Sequence, residues 1–147
     1  MTEKSAMTAF ASSFPYSLRQ EVIWRDMDAF QHVNNAVYFR YFEDVRMAFL
    51  TEVGAIEYSK THQIGPILAS TRCDFRAPLL YPDGIRIGAR VEEIKPRRLT
   101  MKYAVYSESQ DVIAAEGEGL LVYYDYTAAK SCEIPDAIRL QLQQLVV

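Results

Sequence analysis

The chain has 147 residues, half of them hydrophobic, with 16 basic and 19 acidic side chains and a formal net charge of −3. That length suits one domain burying about two-thirds of its unfolded surface. The mild acidity argues against a dedicated nucleic-acid binder, and no run approaches the roughly 18 apolar residues that a bilayer span needs. Aromatic residues include 10 Tyr and 7 Phe but one Trp, which favours a sheet-rich core over a plain helical bundle. Cys73 and Cys132 have neither metal-ligand nor Cys-x-x-Cys spacing and read as reduced thiols. The polar N-terminal segment lacks a signal-peptide core, so the expectation is a soluble, cytoplasmic protein.

Residues 1–14 carry no apolar period and are expected to form a flexible tail, leaving 15–147 as a single domain. From Tyr16, the set Tyr16, Leu18, Val22 and Trp24 alternates with Ser17, Arg19, Glu21 and Arg25, which predicts a half-buried strand. Asn34 is a good N-cap and Gly54 a good stop for the helix between them. Its apolar stripe is Tyr38, Tyr41, Phe42, Val45, Phe49 and Val53, broad enough to require enclosure by other structure. Arg40, Glu43, Asp44 and Arg46 fill the remaining sector, with Arg40–Asp44 and Glu43–Arg46 expected as ion pairs along the helix.

Four alternating segments follow, at 67–75, 85–91, 99–105 and 113–123. Pro82-Asp83-Gly84, the basic run Lys95-Pro96-Arg97-Arg98 and Ser109-Gln110-Asp111 punctuate them. Pro135 can open a short C-terminal helix carrying Ile138, Leu142 and Leu145 on one side. A strand, one long apolar helix and four consecutive strands predict an α+β fold, a five-stranded antiparallel sheet wrapped around one long helix.

The stretch from Trp24 to Asn35 joins a carboxylate, a histidine and the positive end of a helix. Unpaired N–H groups at a helix start attract charge that develops on a carbonyl oxygen, and a carboxylate beside them can act as nucleophile or general base. That combination suits acyl transfer. The run Asp26-x-Asp28, then His32-Val33-Asn34-Asn35, then Tyr38-x-x-Tyr41-Phe42-Glu43 resembles the hotdog-fold acyl-CoA thioesterases of the 4-hydroxybenzoyl-CoA thioesterase-like family, over about residues 16–127.

The resemblance implies that Asp28 is the catalytic carboxylate and that the backbone amide near Asn35 holds the oxyanion. The bland alternative for Asp28 is a turn-shaping residue, and for Asn34 and Asn35 a helix cap. His32 matches a proposed catalytic histidine of the related plant acyl-carrier-protein thioesterases, but Phe30 stands where their catalytic Asn would be, which favours the simpler scheme of Asp28 plus the helix. Tyr38 reads as a wall of the acyl pocket or as core packing. Glu43 lies where another hotdog branch carries its carboxylate. The resemblance places basic residues that contact CoA phosphates near the turn of Arg97 and Arg98, beside Lys95; the alternative is a solvated basic hairpin, with Arg72 and Arg76 as other candidates for phosphate contact or for salt bridges at a dimer edge.

The implied activity is hydrolysis of an acyl-CoA or acyl-carrier-protein thioester with no metal and no other cofactor, by a homodimer or homotetramer with sites at subunit interfaces. The alternatives are a non-catalytic acyl-CoA-binding hotdog module and, ranked lower because residues 28–35 hold neither Pro nor Gly, a hotdog hydratase or dehydratase.

Overall fold

The computed structural model describes residues 5–146. Its elements run α1 (Ser5–Ser13), β1 (Tyr16–Glu21), α2 (Asn35–Glu52), α3 (Ala55–His62), β2 (Ile64–Phe75), β3 (Gly84–Ile94), β4 (Arg98–Ser107), β5 (Val112–Asp125), β6 (Lys130–Ser131) and α4 (Asp136–Gln143). The long strands form one antiparallel sheet in the order β1-β3-β4-β5-β2, and short β6 pairs with β5. The expected five-stranded sheet is therefore present, with a two-residue addition at one end.

The sheet curls around α2. The apolar stripe of α2, including Tyr38, Tyr41, Phe42, Val45 and Phe49, is buried against Ile85, Ile87, Ala89 and Val91 of β3 and Met101, Tyr103 and Val105 of β4. The Phe42 ring stacks on Tyr103 at 4.9 Å, over Gly117 of β5, where any Cβ would collide with that ring. Glycine is required there by close approach rather than by backbone conformation. At the helix start, the Asn34 side chain accepts a hydrogen bond from the Ala36 N–H at 2.9 Å. At its end, Gly54 has φ 84°, the left-handed conformation that stops a helix cheaply.

Several expectations need correction. The first strand ends at Glu21, because the Val22 N–H already bonds to Asp83 O beyond the last β1–β3 pair; Trp24 instead begins a 3₁₀ turn and is 72% exposed. Residues 55–62, which carried no expectation, form α3, whose partly buried Ile56 and Tyr58 pack against the core. Neither expected pair on α2 forms: Asp44 accepts from Gln20 Nε2 at 2.9 Å, and Arg46 is buried with its Nη1 donating to Tyr103 Oη at 3.4 Å.

The segment read as a flexible tail holds a helix; residues 1–4 of it lie outside the described residues. Phe10 of α1 is buried against the outer face of the sheet beside Ala104 and Tyr106, and Phe14 lies under the Arg90 guanidinium at 5.0 Å. A Cβ at Gly88 would press into both phenylalanines, so the small residues of the outer face form the seat of α1. The rest of that face carries charges in pairs: Arg72 and Lys102 on Glu118, and Arg19 and Arg86 on Glu108. Among the described residues, no helix is long and apolar enough to cross a membrane.

Candidate active site

The loop between β1 and α2 is fixed by its own hydrogen bonds. The Asp28 N–H donates to His32 O at 2.8 Å, Gln31 N–H to Asp28 O at 2.9 Å and Asn34 N–H to Asp26 O at 2.9 Å. Gln31 takes a positive φ of 65° to close the turn. Val33 N–H bonds to Leu79 O at 2.9 Å, tying the loop to the segment that leads into β3. The helix start is thereby held at the end of the sheet formed by Glu21, Gly84, Ser107 and Phe75.

Asp28 occupies two roles at once. One carboxylate oxygen accepts from the Phe30 N–H at 2.9 Å and from the His32 N–H at 3.4 Å, which is the turn-shaping role. The other oxygen has no donor among the described residues. In the first turn of α2, Asn34 takes the Ala36 N–H with its side chain and the Val37 N–H with its carbonyl. The Asn35 N–H is left without a protein acceptor among the described residues, at the positive end of an 18-residue helix.

Two hollows flank this loop. Asp28 borders one of about 650 Å³ together with Trp24, Arg25, Met27, Gln31, Leu80 and Tyr81. His32, Asn35 and Tyr38 border another of about 300 Å³ with Phe75, Arg76 and Pro78. The sequence-predicted residues are thus adjacent in the loop yet divided between two concavities of the single chain. Trp24, Leu80 and Tyr81 were missed as lining residues; an aromatic and an apolar residue directly before Pro82 were the available signal.

Tyr38 packs edge-on against Phe75 at 5.0 Å, and burial pushes its phenol up to about 12, so it stays neutral where it borders the smaller hollow. Burial likewise raises the Cys73 thiol to about 11, which removes it as a nucleophile near neutrality. Arg97 and Arg98 are exposed at the far end of the sheet, where Arg98 begins β4 and the Arg97 Nη1 donates to Ser131 O at 3.0 Å. The length of β4, about 33 Å at the usual rise per residue, separates them from the end that carries Asp28. Within one chain they are too remote to share a bound cofactor-sized ligand with that carboxylate.

A curled antiparallel sheet around a central helix, with a carboxylate beside the helix start, is the hotdog architecture of thioester hydrolases. The sequence pattern of the thioesterase-like superfamily matches residues 22–142, and the chain belongs to that family. A protein of Aquifex aeolicus whose name classes it with the esterases is 32% identical over 110 residues, which cover 74% of this chain and 85% of that one. The long-chain acyl-CoA thioesterase FadM of Escherichia coli is 22% identical over 120 residues, covering 82% and 91% of the two chains. A Thermus thermophilus thioesterase solved in complex with coenzyme A and zinc superposes with a TM-score of 0.77 at 28% identity, over 88% of this chain and 98% of that one. The protein is accordingly an enzyme of the thioesterase class with the hotdog fold.

Proposed function

We propose that this protein hydrolyses acyl-CoA thioesters, with Asp28 as nucleophile or general base and the Asn35 amide as oxyanion donor. The observation that carries this is the pairing of an unsatisfied helix-start N–H with a carboxylate that has one oxygen unengaged, seven residues apart in a loop braced by its own hydrogen bonds. A thioester lying across the loop has its carbonyl oxygen on the Asn35 N–H, with the acyl group and the thiol arm in the two hollows. In the base form, Asp28 takes a proton from water, the hydroxide adds to the carbonyl carbon, and the resulting oxyanion is held by the helix start. The C–S bond then breaks. A thiol leaving group has an intrinsic pKa around 8.5, so it departs as thiolate without a dedicated acid. In the nucleophile form, an acyl-aspartyl anhydride forms first and water opens it. His32 serves the loop through its backbone and borders the acyl side.

The proposed working unit is a homodimer. Strands β2 of two copies, paired antiparallel across a two-fold axis, bring the Arg97 and Arg98 end of one sheet toward the Asp28 end of the other. The basic pair then meets the phosphates of a CoA whose thioester sits on the partner, by charge-assisted hydrogen bonds. The relative named for long-chain acyl-CoA substrates and the relative bound to coenzyme A support CoA over acyl-carrier protein.

The test is thiol release from a panel of acyl-CoA esters by wild type and Asp28→Asn. Asparagine keeps the oxygen that accepts from Phe30 and His32 but cannot act as base or nucleophile. Turnover is expected to fall by at least about a hundredfold, within the range general-base catalysis contributes, with circular dichroism unchanged. Near-wild-type turnover in the folded variant would rule Asp28 out.

A further inference from the structure

Among the described residues, Arg46 is a cation without an anion. It projects from the middle of α2, is 8% exposed, and among the described residues makes one hydrogen bond, to the neutral Tyr103 hydroxyl at 3.4 Å. A guanidinium has five N–H donors, and a buried charge is as a rule paired. No carboxylate lies within 4.0 Å of it among the described residues. One turn earlier on the same helix, Glu43 is exposed and has no partner among the described residues.

The surroundings of Arg46 indicate where the missing anion comes from. The Tyr103 hydroxyl lies over Gly119, whose Cβ position would be 3.0 Å from that oxygen and 3.3 Å from Leu68 Cδ1. Gly119 pairs with Thr71, so the guanidinium reaches the level of the midpoint of β2. Leu68 is 38% exposed although it faces the helix side of the sheet, level with buried Leu121. The helix therefore leaves the middle of this edge strand uncovered, next to Arg46.

We infer that each Arg46 is neutralised by Glu43 of a second copy, in a reciprocal exchange across the two-fold axis. The inference rests on the dimer proposed above and specifies its axis. An isologous contact pairs residue i with j and j with i. Two antiparallel copies of α2 with the axis crossing between Asp44 and Val45 set Glu43 opposite Arg46 twice over. The same axis passes the middle of β2, where Arg46 ends, so strand pairing and charge exchange need one symmetry operation. Opposite charges one turn apart, one buried and one free, form a self-complementary patch that serves no purpose within a single chain.

The experiment is sedimentation equilibrium of Glu43→Gln, a change at an exposed position that leaves the monomer fold intact. The dimer dissociation constant should rise at least about tenfold, since truncating one partner of a desolvated charge pair strands the other. An unchanged constant would overturn the exchange. A second arm mixes Glu43→Arg chains with Arg46→Glu chains, each expected to be monomeric alone. The mixed dimer has both contacts restored and should form, whereas failure to associate in folded chains would refute the inference. Where the wild type hydrolyses thioesters, Glu43→Gln should approach wild-type turnover per chain at high protein concentration and lose it on dilution. A loss independent of concentration would make Glu43 a catalytic carboxylate and overturn the assignment. Sedimentation reads the exchange even if no thioester is cleaved, so the two readings fail separately.

Discussion

The two edge strands of the sheet are built to opposite specifications. β1 has six residues, with Ser17, Arg19 and Glu21 exposed in alternation, and its arginine is already engaged by Glu21 and Glu108. β2 has twelve residues and, beside Arg72 and Asp74, which pair with each other and through Arg72 with Glu118, exposes Ile67, Leu68 and Phe75 along its length. Shortness is one way natural sheets blunt an edge, whereas a long edge with exposed apolar side chains is a template for another strand. One edge of this molecule is closed and the other is open, and the open one borders the candidate site through Phe75.

The sharpest way to break this contrast is a lysine on each edge. Leu68→Lys on β2 should abolish dimer formation and reduce activity by about a hundredfold or more at sub-micromolar protein, because edge lysines oppose strand addition. Ser17→Lys on β1 should leave both unchanged. Sedimentation and thiol release on the two variants decide the matter, and equal effects would erase the distinction between the edges.

A smaller effect tests whether the open edge joins the two halves of one site. Arg97→Ala with Arg98→Ala should raise KM for CoA esters by about tenfold, through lost charge-assisted phosphate contacts, with little change on a short thioester lacking the nucleotide. Mixing those chains with Asp28→Asn chains should then restore activity. In random two-fold dimers about a quarter of all sites regain both an intact carboxylate and an intact basic pair. No recovery would mean that carboxylate and arginines do not meet across the interface.

The smallest effect concerns the charged outer face. Hydrogen bonds from Arg19 hold the Glu108 carboxyl below its usual value, and those from Lys102 and Arg72 do the same for Glu118. A depressed folded-state pKa contributes stability that is complete above the unfolded value and lost as pH falls through the folded one. Melting temperature should therefore decline from about pH 4.5 downward. Glu108→Gln with Glu118→Gln should flatten that decline and lower the plateau near neutrality slightly, as calorimetry across pH would record.

The long helix was legible because both of its limits are written in local chemistry, the Asn34 cap and the Gly54 stop, and its stripe has the right period. The alternating strands were legible for the same reason. Three features were hidden by their dependence on distant partners. α1 lacks an apolar period of its own and owes its place to Gly88, Ala104 and Tyr106, residues remote in sequence. Trp24 continues the alternation of β1 on paper, but the sheet ends when its partner strand does. Arg46 sits at ion-pair spacing from Glu43, and nothing local reveals that the space beneath Tyr103 would claim it instead. The motif around Asp28 was readable as chemistry, while its division between two hollows followed only from how the loop folds back on Leu79.

The seat of α1 on the outer sheet face has a further consequence, one of valence. A sheet offers two faces and two edges for association. Here α2 fills the inner face, α1 with its flanking ion pairs occupies the outer one, and β1 is short and charged. If the β2 edge is the surface by which two copies associate about a two-fold axis, as proposed, it is used up once two have met. In that assembly the N-terminal helix would keep the outer face it covers, at Gly88, Ala104 and Tyr106, from further contacts between copies.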